Sequence, residues 1–131
     1  MLSKGLRDEE KKKIDDAFIA LLDIEFVPNL WENEERNKLN EKLQAMLNIT
    51  LDAIENMTSE VLLEKLKAAD FEFQHYEQFG DLMLRAIPLE PEEKESLLAT
   101  HTAAVYETAQ KESKTFSFGL IQKINNAKAL I

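Results

Sequence analysis

Cysteine is missing from this 131-residue chain. Its absence excludes disulfides, thiolate metal sites and cysteine nucleophiles. Glycine and proline are scarce, at three residues each. No glycine-rich phosphate loop and no low-complexity linker can be built from them. Long apolar runs are also absent, so no segment reaches the ~20 apolar residues of a membrane-spanning helix. The stretch from Met1 to Lys13 is charged and lacks the apolar core of a secretory signal. Asn48-Ile49-Thr50 and Asn56-Met57-Thr58 then read as chance matches to the glycosylation pattern. A cytoplasmic protein is the expectation.

Positive charge is in short supply. The formal net charge is −9, which argues for no nucleic acid partner, because phosphate binding needs a basic footprint. The imbalance is local. Residues 71–113 hold nine acidic and three basic groups, whereas residues 114–131 hold three lysines and no acid. An acidic body with a basic tail invites docking of that tail onto its own chain or a neighbour.

What remains is helical periodicity over one domain spanning 1–131. The 44% apolar content is that of a soluble globule with a true core. Ile14, Phe18, Leu21 and Leu22 share one face of a first helix, from about Arg7 to Ile24. A second helix is expected from Asn29, its cap, to Asn48; its polar first half, Glu32 to Lys38, reads as surface. A turn of helix covers Thr50 to Glu55. Thr58 caps a third helix, Ser59 to Ala68, with Met57 and Leu62 as hydrophobic staple. Asp70 is expected to cap a fourth, Phe71 to Ile87, with a wide apolar face that includes Phe73. Gly80 inside it costs about 1 kcal/mol against helix propensity, which close approach by another helix explains. Pro88-Leu89-Glu90-Pro91 breaks the pattern, and Pro91 opens a fifth helix to Ser113. Thr115 or Ser117 caps a sixth, to about Ala129. The fold class is all-α: a compact bundle of five or six helices around a central antiparallel hairpin.

Few constellations carry chemistry. No nucleophile–base–acid arrangement is visible, so a non-enzymatic protein without a cofactor is expected. Glu72 and His75 form a Glu-x-x-His pair on one helix, the spacing used in di-iron bundles. A second copy is lacking, because Leu98 stands three residues before His101. In the hairpin, His75 and His101 lie about 18 and 15 Å from the turn at 1.5 Å per residue. They can therefore face each other, and with Glu72 (and Tyr76 beside them) form a divalent-metal or small-ligand site; two unrelated, satisfied histidines are the plainer alternative. Acidic pairs such as Asp15-Asp16, Glu34-Glu35 and Glu92-Glu93 read as solvated faces. The aromatic, basic tail supplies Phe116, Phe118 and Ile121, and the hairpin Tyr76 and Tyr106, as candidate interaction residues. That tail either closes the bundle or meets a protein partner or a second copy.

The stretch Phe71 to Ala109 resembles a tetratricopeptide-type helical hairpin. Gly80 follows Phe79 as a small residue follows a large one in that family, and Ala103, Tyr106 and Ala109 match its small–aromatic–small spacing. The Gly80–Tyr106 interval is longer than a 34-residue repeat allows, and no second copy is present. The layout is also similar to that of small bacterial helical proteins. The resemblance implies a helix pair that binds peptide or protein. Three functions follow as expectations: an interaction or scaffold domain, a small-ligand or metal-binding bundle, or an acidic inhibitor of immunity type.

Overall fold

A computed structural model describes residues 2–24, 28–114 and 117–131, with residues 2–11 and 33 by backbone alone. Among the described residues there are eight α-helices and no strand. They are α1 (Leu2–Leu22), α2 (Pro28–Leu30), α3 (Arg36–Leu47), α4 (Leu51–Ile54), α5 (Ser59–Ala68), α6 (Phe73–Ala86), α7 (Glu95–Ser113) and α8 (Phe118–Lys128). A π-turn, Trp31–Glu35, joins α2 to α3, and two 3-10 turns, Ile87–Leu89 and Glu92–Lys94, join α6 to α7. The all-α bundle is as expected, and α4 is the helical turn expected between Thr50 and Glu55; the added piece is the one-turn α2 at the start of the expected second helix.

Local signals place several ends. Thr58 Oγ1 accepts the Val61 N–H at 3.2 Å and caps α5, whose bounds match the sequence reading. Thr50 and Ser117 cap α4 and α8 in the same way. Asp70 is not a cap. It takes a left-handed backbone, φ 59°, just past α5. There Phe71 N–H reaches Leu66 O at 3.3 Å and Asp70 N–H reaches Lys67 O at 3.0 Å. This is the Schellman pattern, with an aspartate where glycine is usual. It moves the start of α6 to Phe73, with Glu72 as cap. Pro91 sits before a 3-10 turn, so α7 begins at Glu95 rather than Glu92.

The core forms around α6, which buries Tyr76, Phe79, Leu82, Met83 and Ala86. It packs most extensively on α7, and also on α1. Phe18 from α1 meets Phe71 edge-on at 5.6 Å, and Phe71 in turn meets Tyr76 and Phe79. Edge-to-face pairs of this kind add about 0.5–1.5 kcal/mol each beyond burial. Phe73 departs from the expectation and is exposed. Arg85 donates to the carbonyls of Leu22 and Ile24, both at 3.0 Å. Those are orphan groups at the end of α1, where a cation also suits the helix dipole.

The basic tail docks on its own chain. Leu120 and Ala127 of α8 are buried, and α8 packs along α7. Lys123 bonds Glu77 at 2.7 Å and Asp81 at 3.0 Å, and Lys128 lies 3.5 Å from Glu107. Among the described residues, no helix is long and apolar enough to cross a membrane.

Candidate functional site

The two histidines occupy different environments. His75 is the third residue of α6. Its Nδ1 accepts the Glu72 backbone N–H at 2.9 Å, while the Glu72 carboxylate accepts the His75 backbone N–H. This is a capping box with histidine in the place usually held by glutamate. The other nitrogen, Nε2–H, donates to Asp15 of α1 at 2.6 Å, and Phe18 stacks on the ring. Glu-x-x-His therefore starts a helix and ties it to α1. His101 lies between α4 and α5: Nε2–H donates to Ile54 O at 3.1 Å and Nδ1 accepts from Ser59 Oγ at 2.6 Å. Burial lowers its pKa, which keeps the ring neutral. Every imidazole nitrogen has a protein partner. Among the described residues no three His, Asp or Glu side chains could hold a metal ion. Glu72 and His75 are brought together, and His101 is held by other elements. Replacing Glu72 with alanine is expected to cost about 0.5–2 kcal/mol, read as a shift in urea midpoint.

The interaction candidates also separate. Tyr76 and Tyr106 are core residues. Ile121 is half-buried on α8, and Phe118 at its start is 80% exposed. Phe116 lies outside the described residues.

A site that no sequence motif announces is built by three distant segments. The polar stretch Glu32 to Lys38 was expected on the surface, yet it begins in a π-turn that buries Trp31 and Glu35 and half-buries Arg36. A π-turn adds a residue to the helical turn and re-aims the side chains around it, and such turns recur at functional sites. Pro91 acts at the second segment: the residue before a proline is driven to extended backbone, and Glu90 has ψ 164°. The Glu90 side chain is 3% exposed and meets the π-turn. Trp31 Nε1–H donates to Glu90 Oε2 at 3.0 Å; Arg36 Nε–H donates to both Glu90 oxygens, at 3.0 and 3.2 Å. The third segment is α4. Asp52 receives both Arg36 Nη groups, at 2.8 and 3.3 Å, and Glu55 closes the helix with its Oε2 3.9 Å from Arg36 Nη2.

Three carboxyl groups thus face one guanidinium, those of Glu90, Asp52 and Glu55. Trp31, Glu32, Arg36, Asp52, Glu55, Leu89, Glu90 and Pro91 line a cleft of about 440 Å³. Asp52 and Glu32 stand exposed at its edge, whereas Glu55 and Glu90 are buried behind them. The hydrogen bond from Arg36 holds the Asp52 carboxyl below its usual range. Burial acts against the ionised form of Glu90, but bonds from Glu55, Arg36 and Trp31 outweigh it and lower its pKa. Burial first, then the Glu90 carboxylate, push Glu55 up to about 8. Its Oε1 atom is buried and, among the described residues, receives no N–H or O–H. Two adjacent carboxyls satisfy one another only when one is protonated. The upward shift of Glu55 and the downward shift of Glu90 make Glu55 the better proton holder of the two.

A larger groove of about 500 Å³ lies between α1, α3 and α5, lined by Ile14, Met46 and small alanines. Its polar side chains, Lys13 and Asp70, are exposed, and no buried polar group points into it. The acidic cleft is the better candidate. Convergent polar groups in a concave wall, with strongly perturbed titration, are the general mark of a binding site. No protein-family model, curated protein or solved structure matches this chain.

Proposed function

We propose that this chain is a non-enzymatic binding domain that takes a basic side chain of a protein partner into the acidic cleft. The observation that carries the reading is the surplus of carboxyl groups there over the single Arg36 cation, beside the apolar walls of Trp31, Leu89 and Pro91. A lysine or arginine has the matching shape: an apolar stem and a charged head. Arg36 is fully engaged by Glu90 and Asp52, so the cleft's remaining acceptors are Glu32, Glu55 and the exposed edge of Asp52. The net charge of −9 would speed encounter with a basic partner through long-range attraction. Of the three functions expected from sequence, this joins the interaction domain to the acidic inhibitor and moves the binding site from the histidines to the cleft.

The only tryptophan of the chain lines this cleft, so its fluorescence reports occupancy directly. Titration with a short arginine-containing peptide is expected to give a saturable change in emission that weakens as salt is added. The same peptide with citrulline in place of arginine should give none. Glu32→Gln, at an exposed position, should weaken binding about two- to fivefold, as removal of one solvent-exposed attraction does. Equal binding of the arginine and citrulline peptides, or no saturable change with either, refutes the reading.

A further inference from the structure

We infer that binding at this cleft is coupled to a proton: the Glu55–Glu90 pair holds one proton in the uncomplexed protein and releases it when a basic side chain enters. The inference rests on the binding reading above and adds its regulation. Glu55 and Glu90 line the same cleft and face the same guanidinium, Glu90 at 3.0 Å and Glu55 at 3.9 Å. Both carboxyl groups are buried, with side-chain exposures of 7% and 3%. Glu90 already accepts from Trp31 and Arg36, which fixes the negative charge on it. Glu55 has no such donors, and the guanidinium stands 3.9 Å away with its hydrogen bonds committed elsewhere. The charged groups around Glu55 come from three directions: Arg36 from α3, Glu90 from the α6–α7 turn, and Asp52 from its own helix. On the α7 side, His101 bonds the Ile54 carbonyl one residue away rather than the carboxyl.

A cation entering the cleft changes this balance. It supplies the positive charge that the proton supplied, and a Lys or Arg head donates the N–H that Glu55 Oε1 lacks. The Glu55 O–H bond breaks, its electron pair stays on the carboxylate, and the proton leaves to solvent. One cation is taken up for one proton given off, and the charge of the site is unchanged.

The direction with pH follows from linkage. The proton competes with the ligand, so affinity falls wherever Glu55 of the uncomplexed protein is protonated. Its pKa is pushed up to about 8 by burial and by Glu90. Affinity for an arginine-containing peptide is expected to climb about tenfold per pH unit between pH 6 and pH 8 and to level off above that. Calorimetry in two buffers of different ionisation enthalpy, at pH 7, should count about one proton released per peptide. Glu55→Gln keeps the shape and mimics the protonated acid; it should bind at every pH as weakly as the wild type does near pH 6, with a flat pH profile and no proton release.

The outcomes separate the two claims. A bound peptide whose affinity is flat from pH 6 to pH 9 overturns the coupling and leaves the binding reading standing. Absence of peptide binding at every pH overturns both. A third measurement needs neither ligand nor variant: carbon-13 carboxyl NMR of the wild-type chain should show one glutamate titrating several units above the others. Finding every glutamate in the ordinary range near pH 4–5 would falsify the shared proton.

Discussion

Gly80→Ala is expected to destabilise the protein by about 1–2 kcal/mol, although alanine is the better helix former. A methyl built on Gly80 would stand 2.5 Å from Cε1 of Tyr106 and 2.8 Å from its Cδ1 and Cζ. Ordinary contact between carbons needs about 3.5–4.0 Å, so the ring would have to retreat by about 1 Å. It has nowhere to go. Tyr106 is fully buried, its hydroxyl donates to Asp81 at 2.6 Å, and Lys123 lies over its face at 5.9 Å. Overpacking of a close-packed core costs about 1–3 kcal/mol and sometimes more, against a gain of about 0.5–1 kcal/mol in helix propensity. The clash therefore wins. Thermal unfolding should shift down by roughly 5 °C for a chain of this size. The mechanism has a sharper signature in a double variant. Tyr106→Leu removes the ring atoms that collide, so adding Gly80→Ala to it should cost much less than adding it to the wild type. A Gly80→Ala protein as stable as the parent would mean that the ring is not pinned where α6 and α7 cross.

Part of this is legible in the sequence. A glycine in the middle of an apolar helix pays in propensity and so signals close approach; only the partner, a tyrosine ring, was hidden. The bounds of α5 were readable because Thr58 and the Met57–Leu62 staple are contained in six consecutive residues. The docking of α8 followed from uneven charge, and Lys123 between Glu77 and Asp81 realises it. Glu72 and His75 show where reading by spacing stops. A capping box and a helical metal pair both need side chains three residues apart, and the choice depends on where α6 begins. Asp70 in its left-handed conformation moved that start by two residues. The acidic cleft was not legible at all. Trp31, Arg36, Asp52, Glu55 and Glu90 are spread over sixty residues, and each looks like surface taken alone. Two hints were present: a lone tryptophan at the head of a polar run, and a glutamate held just before a proline. Neither says that the two meet. The π-turn that brings them together depends on tertiary packing rather than on local propensity.

Arg36→Ala is expected to cost about 3–5 kcal/mol at pH 7, the usual penalty for removing one partner of a buried ion pair. Arg36 donates hydrogen bonds to Glu90 and Asp52 and so ties three segments of chain together. Asp52 is exposed, and water replaces its lost partner at little cost. Glu90 is the group that suffers. It keeps the Trp31 N–H and the neighbouring Glu55, but it loses its counter-charge in a wall that water scarcely reaches. The pH dependence separates this account from a simple loss of packing. In the wild type the Glu90 pKa is lowered, so its contribution is present above the ordinary carboxylate pKa and is lost as pH falls through the lowered value. In the variant, burial is no longer offset by the guanidinium. The pKa then rises above its unfolded value, and the variant loses stability as pH rises instead. The gap between wild type and Arg36→Ala should therefore widen from pH 5 to pH 8 and narrow toward pH 4, where Glu90 can take up a proton. Adding Glu90→Gln to Arg36→Ala removes the stranded charge and should recover part of the loss at pH 8 and little at pH 4. A loss below about 1 kcal/mol at pH 7, unchanged with pH, would place Arg36 among ordinary surface ion pairs. Glu90 would then be solvated, the shared proton would have no cause, and the cleft would be a surface rather than a built site.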